Sequence, residues 1–287
     1  MKSIKAQPLM KWPGGKRRVL PELVKYVPKD FNSYYEPFIG GGALFFELEP
    51  ENAFITDINT ELINLYEVVK SQPDALIQEL KDKKYVNEAE AFNEIRALDR
   101  STDVFNSLSK VQRAARTIYL NRTCFNGLYR VNSNNQFNAP FGRYAKPRIL
   151  DEPNILASSA LFNDKNVSIK NSSFNDALNA VKGTQNFIYL DPPYIPLTPT
   201  ASFVSYAKDG FSYEQQEELR DKALELDNQG NFILLSNSDT PITRELYSDF
   251  VIVPIQVKRS VGANASSRVA VGEVLALSPS LAKHLGL

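Results

Sequence analysis

Cysteine and histidine are almost missing from this 287-residue chain, which holds only Cys124 and His284. A lone cysteine cannot close an internal disulfide, which fits a reducing compartment. One histidine near the C-terminus excludes zinc sites built from His and Cys, and Ser–His or Cys–His nucleophile pairs. Net charge is also missing. Lys plus Arg and Asp plus Glu are each 33, so no bulk charge draws nucleic acid and any basic surface must be local. There is no apolar run of membrane length, and residues 1–11 mix charges with scattered apolar side chains rather than forming a signal peptide. These absences predict a soluble cytoplasmic protein with no membrane partner. No internal repeat or low-complexity tract is present. A hydrophobic content of 43% is ample for one large domain or two smaller ones.

What is present centres on Phe187-Ile188-Tyr189-Leu190-Asp191-Pro192-Pro193-Tyr194. Four apolar or aromatic residues in a row read as a strand buried on both faces, as inside a parallel sheet. The run stops at a carboxylate and two prolines, which cannot donate to a sheet ladder and which fix φ. Asp191 therefore sits where a buried strand ends and the chain turns rigidly, at the edge where open α/β sheets bind ligands. The Asp191 side chain and the Pro192 carbonyl are fixed acceptors beside the flat ring of Tyr194. That combination suits a nucleobase with an exocyclic amine. A strand-ending turn with an Asp cap is the competing reading.

Two glycine-rich turns precede it. Lys11-Trp12-Pro13-Gly14-Gly15-Lys16 makes a tight loop, followed by Val19, Leu20, Leu23, Val24 and Val27 at helical spacing. Such a loop can hold an anion on backbone N–H groups, although Trp12 also reads as a core aromatic and Lys16 as a solvated charge. Residues 34–43 then read as a strand, the turn Gly40-Gly41-Gly42 and a helix. Glycine there lets a ligand approach the backbone, but the spacing is not the dinucleotide fingerprint. Asp57, 17 residues beyond Gly40, ends the next strand, where an acid binds ribose hydroxyls or caps the helix starting near Glu61.

From Leu62 to about Leu120 the pattern is helical. Between residues 100 and 150 the bases Arg100, Lys110, Arg113, Arg116, Arg122, Arg130, Arg143, Lys146 and Arg148 face one acid, Asp103. That is a local basic patch fit for nucleic acid. Within it, residues 125–144 read as a β-hairpin turning at Ser133-Asn134-Asn135, with Asn, Gln and Arg interleaved with aromatics. Arg can pair with guanine and Asn with adenine in the major groove, and aromatics can stack or wedge. After residue 168 the α/β pattern returns, with strands at 187–190, 232–238, 251–257 and 269–277, a helix over 214–226, and a polar stretch at 258–268.

Taken in order, residues 11–16, 35–43, Asp57, 125–144, 191–194 and 258–273 resemble the Dam-type, or α-class, DNA adenine-N6 methyltransferases, above all members reading GATC. The resemblance spans nearly the whole chain. It implies a Rossmann-like, mostly parallel α/β sheet built from residues 1–66 and 165–287, binding S-adenosyl-L-methionine. Residues 67–164 would be an inserted helical target-recognition domain carrying the 125–144 hairpin.

By similarity, Trp12, Lys16, Phe38, Gly40, Asp57, Phe174 and Asp191 contact the cofactor, with Asp57 on the ribose and Phe174 on the adenine. Asp191, Pro192 and Tyr194 are the catalytic set, holding a flipped adenine for direct in-line methyl transfer. DNA contacts are implied for Lys11, Phe125, Asn126, Leu128, Arg130, Asn138, Pro140, Arg143 and Tyr144. Arg130 and Lys11 read guanines, Leu128 and Pro140 touch thymine methyls, and Phe125 wedges beside the flipped base. Family members often have Tyr where Phe125 stands. The implied partner is double-stranded DNA on a bacterial nucleoid, with a cognate restriction endonuclease sharing the site without a stable complex. Cytosine N4, RNA adenine and an inert DNA-binding protein remain as alternatives, and no metal is expected.

Overall fold

Phe187 to Leu190 form a strand with every residue buried, as the unbroken apolar run requires. The computed structural model describes residues 4–195, 211–255 and 272–287. The expected 258–268 stretch lies outside them. The elements in chain order are α1 (Leu20–Leu23), β1 (Tyr34–Glu36), α2 (Ala43–Leu48), β2 (Asn52–Asp57), α3 (Thr60–Ser71), α4 (Pro73–Leu80), α5 (Ala89–Ala97), α6 (Thr102–Ser107) and α7 (Lys110–Thr123). After the loop come α8 (Glu152–Asp164), β3 (Asn166–Asn171), α9 (Phe174–Asn179), β4 (Phe187–Leu190), α10 (Tyr213–Asn228), β5 (Phe232–Ser238), α11 (Pro241–Leu246), β6 (Val251–Ile255), β7 (Glu273–Leu277) and α12 (Pro279–Leu285). The helix expected from Val19 to Val27 is broken into the single turn α1 between two 3-10 turns, with Pro21 at its start.

The strands form one seven-stranded, mostly parallel sheet in the order β3-β2-β1-β4-β5-β7-β6. Tyr34 of β1 stands opposite both Ala53 and Phe187 in parallel register. Leu190 stands opposite Leu235, and β7 runs antiparallel to β5 and β6. The sheet winds outward in opposite senses from β1 and β4. That makes the carboxyl ends of these two strands the topological switch point, where open α/β sheets take their ligands.

The chain divides into two compact units. One comprises Met1–Gly15, Gly40–Glu51 and Asp57–Asn171. Its helices pack around aromatics: Phe45, Phe46, Tyr66 and Phe162 are all nearly inaccessible, with ring centroids 5.3 to 6.4 Å apart. Asn59, not Asp57, caps α3 by accepting from the Leu62 amide; Asp57 is engaged elsewhere. A capping box between Ser109 and Gln112 starts α7, satisfying two amide donors that a helix start leaves open.

The other unit comprises Lys16–Ile39, Asn52–Thr56 and Ser172–Leu287. Ile188, Leu190, Ile233 and Leu235 of the sheet bury against Leu219, Ala223 and Leu226 of α10, with Phe174 and Leu178 of α9 in the same cluster. Three of the five passages of the chain between units fall beside residues singled out from the sequence: Gly15 to Lys16, Ile39 to Gly40, and Thr56 to Asp57.

Candidate active site and nucleic-acid interface

At the carboxyl end of β4, Asp191 is held by contacts within its own unit. Lys16 Nζ, on a side chain only 6% exposed, stands 2.8 Å from Asp191 Oδ1. That oxygen is buried yet receives no hydrogen bond of good geometry. The Lys16 ammonium is the charged neighbour of that oxygen. Burial raises the Asp191 pKa above the usual carboxylate value, and Lys16 opposes the rise. The same Nζ lies 4.7 Å from the centre of the Tyr194 ring, a cation–π distance. Tyr194 donates its hydroxyl to Glu273 Oε2 at 3.1 Å, so its ring is fixed at the face and at the tip.

The Pro-Pro pair removes two backbone donors, so the loop must be anchored by other atoms. Gln216 Nε2 of α10 donates to the Pro193 carbonyl at 2.8 Å. Asn237 Oδ1 of β5 accepts from the Ile195 amide at 3.0 Å, and Ser238 Oγ donates to the Ile195 carbonyl at 2.6 Å. Asn237 and the Tyr247 hydroxyl both donate to Gln216 Oε1. All four polar side chains are buried. In the same unit Phe38 and Phe174 stack with centroids 5.6 Å apart, a flat apolar surface on the segment leaving β1.

The other unit carries the glycine turn. The Gly40 amide donates to Asp57 Oδ2 at 3.0 Å and the Asn59 amide to Oδ1 at 2.9 Å. Tyr66 donates to the Gly40 carbonyl at 2.9 Å. Burial raises the Asp57 pKa while these backbone donors oppose the rise. Gly40 has φ +44°, and a Cβ there would sit 2.6 Å from Trp12 Cδ1; only glycine fits this close approach. Trp12 stacks on Tyr129 at 4.9 Å.

The surface segment of that unit departs from the expected hairpin. Residues 125–144 do turn at Asn132 to Asn135, with Asn135 left-handed and the Asn132 amide donating to the Gln136 carbonyl at 2.9 Å. The two arms share only two isolated bridges, Cys124 with Phe141 and Val131 with Phe137. Three features break the ladder. A 3-10 turn occupies Phe125–Gly127, Pro140 has no N–H to give, and the Asn132 side chain takes the Asn134 and Gln136 amides.

Six of the expected residues on the arms are exposed. The Phe125 amide donates to the Pro140 carbonyl at 2.8 Å, and Phe125, Leu128, Asn126, Arg130, Pro140 and Arg143 are exposed. Arg130 donates through Nε to Asn138 Oδ1 at 2.7 Å and through Nη2 to the Asn138 carbonyl at 3.0 Å. Lys11 Nζ lies 5.8 Å from the centre of the Tyr144 ring. Cys124 is fully buried, and burial pushes its thiol up to about 11, so it is packing, not a nucleophile.

The basic patch is smaller than its sequence suggests. Arg100 and Arg116 pair with Asp99, Lys110 with Glu67, Arg113 with Glu61 and Arg148 with Asp151. These carboxylates lie outside the 100–150 window, so a count by sequence position misses them. Arg122 donates to the Leu9 carbonyl. Among the nine bases, Arg130, Arg143 and Lys146 remain exposed with no carboxylate partner among the described residues.

The profile of the D12 class of N6 adenine-specific DNA methyltransferases matches residues 12–261. The chain belongs to this family. It is 46% identical over 274 residues to the Type II methyltransferase M1.LlaDCHI of Lactococcus lactis subsp. cremoris, covering 95% of each chain. It is 37% identical over 280 residues to the Type II methyltransferase M.MjaIII of Methanocaldococcus jannaschii, covering 92% of this chain and 96% of the relative. It is 35% identical over 278 residues to the DNA adenine methylase of Escherichia coli K12, covering 95% of each.

In this methyltransferase, sequence reasoning missed four side chains that hold the site's backbone. Gln216, Asn237 and Glu273 are described above. The fourth is Asn121 of α7, which exchanges hydrogen bonds with the Lys11 amide and carbonyl and donates to the Gly127 carbonyl. Two carried a signal. Gln216 continues the inward stripe of Leu219, Ala223 and Leu226, and Asn121 continues that of Ala114 and Ile118. An amide on an apolar stripe marks a buried backbone partner. Among the described residues no acidic, His or Cys cluster could hold a metal, and no helix is long and apolar enough to cross a membrane.

Proposed function

We propose that this methyltransferase moves a methyl group from S-adenosyl-L-methionine to N6 of adenine in double-stranded DNA, within GATC, on a base turned out of the helix. The observation that carries the reading is the half-buried Asp191 carboxylate at the end of β4, paired with Lys16 and beside a Tyr194 ring held at its face and hydroxyl. In a duplex one N6 hydrogen is bonded to the paired thymine, so the adenine must leave the stack for both to meet the acceptors of such a pocket. Tyr194 stacks on it, and Asp191 and the Pro192 carbonyl accept the two N6 hydrogens. Drawing both hydrogens to one side turns the nitrogen lone pair outward for direct in-line attack, and positioning supplies most of the rate. N6 then sheds one proton, and no covalent enzyme intermediate forms.

The residues present fit the cofactor. The cradle at Gly40 admits no Cβ, Asp57 has its oxygens aligned by amides with lone pairs left for hydroxyls, and Phe38 and Phe174 offer a flat apolar face. When bound, S-adenosylmethionine supplies a methyl on a sulfonium, already a good leaving group. In this reading Trp12, Lys16, Phe38, Gly40, Asp57, Phe174 and Asp191 contact it, with Asp57 on the ribose and Phe174 on the adenine.

For target choice, Arg130 and Lys11 read guanines by their major-groove edge. Leu128 and Pro140 touch thymine methyls, Phe125 wedges into the stack, and Asn126, Asn138, Arg143 and Tyr144 complete the surface. Residues 67–164 serve as the target-recognition part, and residues 1–66 with 165–287 as the catalytic part. The similarity to Type II methyltransferases supports a restriction endonuclease sharing the site without a stable complex. A DNA substrate places the enzyme in the cytoplasm, on the nucleoid.

Plasmid grown with this gene in a host lacking adenine methylation, then sequenced for modified bases, tests base and site together. N6-methyladenine in GATC is expected. Methyl groups on cytosine N4, or at another motif, would overturn the corresponding part. Asp191→Ala should abolish transfer while leaving DNA binding intact; retained turnover would remove Asp191 from the chemistry.

A further inference from the structure

Arg130 does not stand free. Its Nε and one Nη2 hydrogen are spent on Asn138, and the Asn138 amide returns a bond to the Arg130 carbonyl at 2.9 Å. A guanidinium has five N–H donors in a rigid fork, so the Nη1 end is the part left to meet a base. What fixes Asn138 is its neighbour. The Phe137 amide donates to Asp99 Oδ2 at 2.7 Å, and Arg100 Nη2 donates to the Phe137 carbonyl at 2.6 Å. The Gln136 side chain donates to the Asp99 carbonyl at 3.2 Å. Asp99 is itself held by Arg116 Nη2 at 2.7 Å, in a pair whose side chains are 8% and 5% exposed. Arg116 also donates through Nε to the Ile95 carbonyl and through Nη2 to the Arg96 carbonyl, at the end of α5.

We propose that Asp99 and Arg116 are specificity-determining positioning residues. This buried pair ties the returning arm of the 125–144 segment to the helices beneath and, through Phe137 and Asn138, aims the Nη1 end of Arg130. The inference rests on the reading above that Arg130 recognises a guanine. An ion pair buried this deeply is costly to leave half-made, so the arm has one low-energy position. That suits a bidentate contact, which tolerates little misplacement. Neither residue touches DNA in this account.

The test compares kcat/KM on GATC duplexes with duplexes in which each base pair of the site is replaced in turn. Arg130→Ala should lose roughly tenfold or more of its discrimination at one base pair. The double variant Asp99→Leu, Arg116→Leu replaces the pair with apolar side chains. It should lose discrimination at that same base pair, keep it at the others, and gain no further loss when Arg130→Ala is added. The slope of log Kd against log salt should stay unchanged, because no phosphate contact is removed; a general loss of structure would depress all duplexes alike. Discrimination kept by the folded double variant but lost by Arg130→Ala overturns the positioning role and leaves the Arg130 reading standing. Discrimination kept by Arg130→Ala overturns that reading, and this proposal with it. If the double variant does not fold, Asp99→Asn serves: it strips Arg116 of its counter-charge, and unchanged discrimination at that base pair would equally sink the proposal.

Discussion

Asp191 works between two opposing influences: burial raises its pKa and Lys16 restrains the rise. In the proposed reaction the ionised carboxylate is the form that accepts an N6 hydrogen. Activity should therefore be present above the raised pKa and lost as pH falls through it, so the acid limb of kcat lies above the ordinary carboxylate value. Lys16→Met removes the restraint and should move that limb to higher pH. A pH profile of single-turnover rates at saturating cofactor and DNA measures it; a limb that stays put or moves down would refute the pairing. At this scale the sequence was informative. Asp191, Pro192 and Tyr194 were singled out because prolines after a buried run forbid continuation of the strand. The partners that complete the geometry, Lys16 for the carboxylate and Glu273 for the Tyr194 hydroxyl, lie 175 and 79 residues away along the chain, beyond any local pattern.

Elements matter here through the backbone groups they satisfy. Gln216 places one amide from α10 against the Pro193 carbonyl and accepts from Asn237 and Tyr247. Gln216→Ala leaves buried polar groups unpaired, a cost of about 1–3 kcal/mol, seen as a lower urea midpoint. It should also lower kcat more than KM, because the loop that presents Asp191 loses its anchor. Equal stability with unchanged kcat would show that the prolines hold the loop unaided. At the other arm, a Cβ on Gly142 would fall 2.6 Å from the Cys124 carbonyl oxygen. Gly142→Ala should destabilise by about 1–3 kcal/mol, as overpacking does, and should disturb the turn that begins at Phe125, proposed above to face DNA. Circular dichroism melts alongside DNA affinity would report both. The strands and most helices were legible as periodic runs. The paired β-hairpin expected at 125–144 was not realised, because asparagine side chains and Pro140 replace ladder bonds that an alternating pattern appears to promise.

Across the whole molecule, charge balance hides how positive charge is used. The sequence holds 33 bases and 33 acids, and five of the nine bases between residues 100 and 150 are paired with acids outside that stretch. Arg143 and Lys146 are exposed and available to phosphates. Arg143→Ala and Lys146→Ala should each reduce the magnitude of the salt slope of DNA binding by about 1, with affinity falling evenly across sequences. Removing Lys110, which faces Glu67, should leave the slope unchanged. Fluorescence anisotropy over a salt series checks all three; a loss of slope for Lys110→Ala would mean that its pairing yields to DNA.

By itself the sequence determined the class of fold, the order of motifs and the chemical kind of the central loop. These follow from local rules: unbroken apolar runs make buried parallel strands, glycine permits close approach, and proline ends a ladder. Tertiary structure alone decided which charges are spent internally, which amides hold the Pro-Pro loop and the 125–144 arm, and which cation stands beside Asp191. Those are matters of distance between residues far apart along the chain, and burial makes each one energetically decisive.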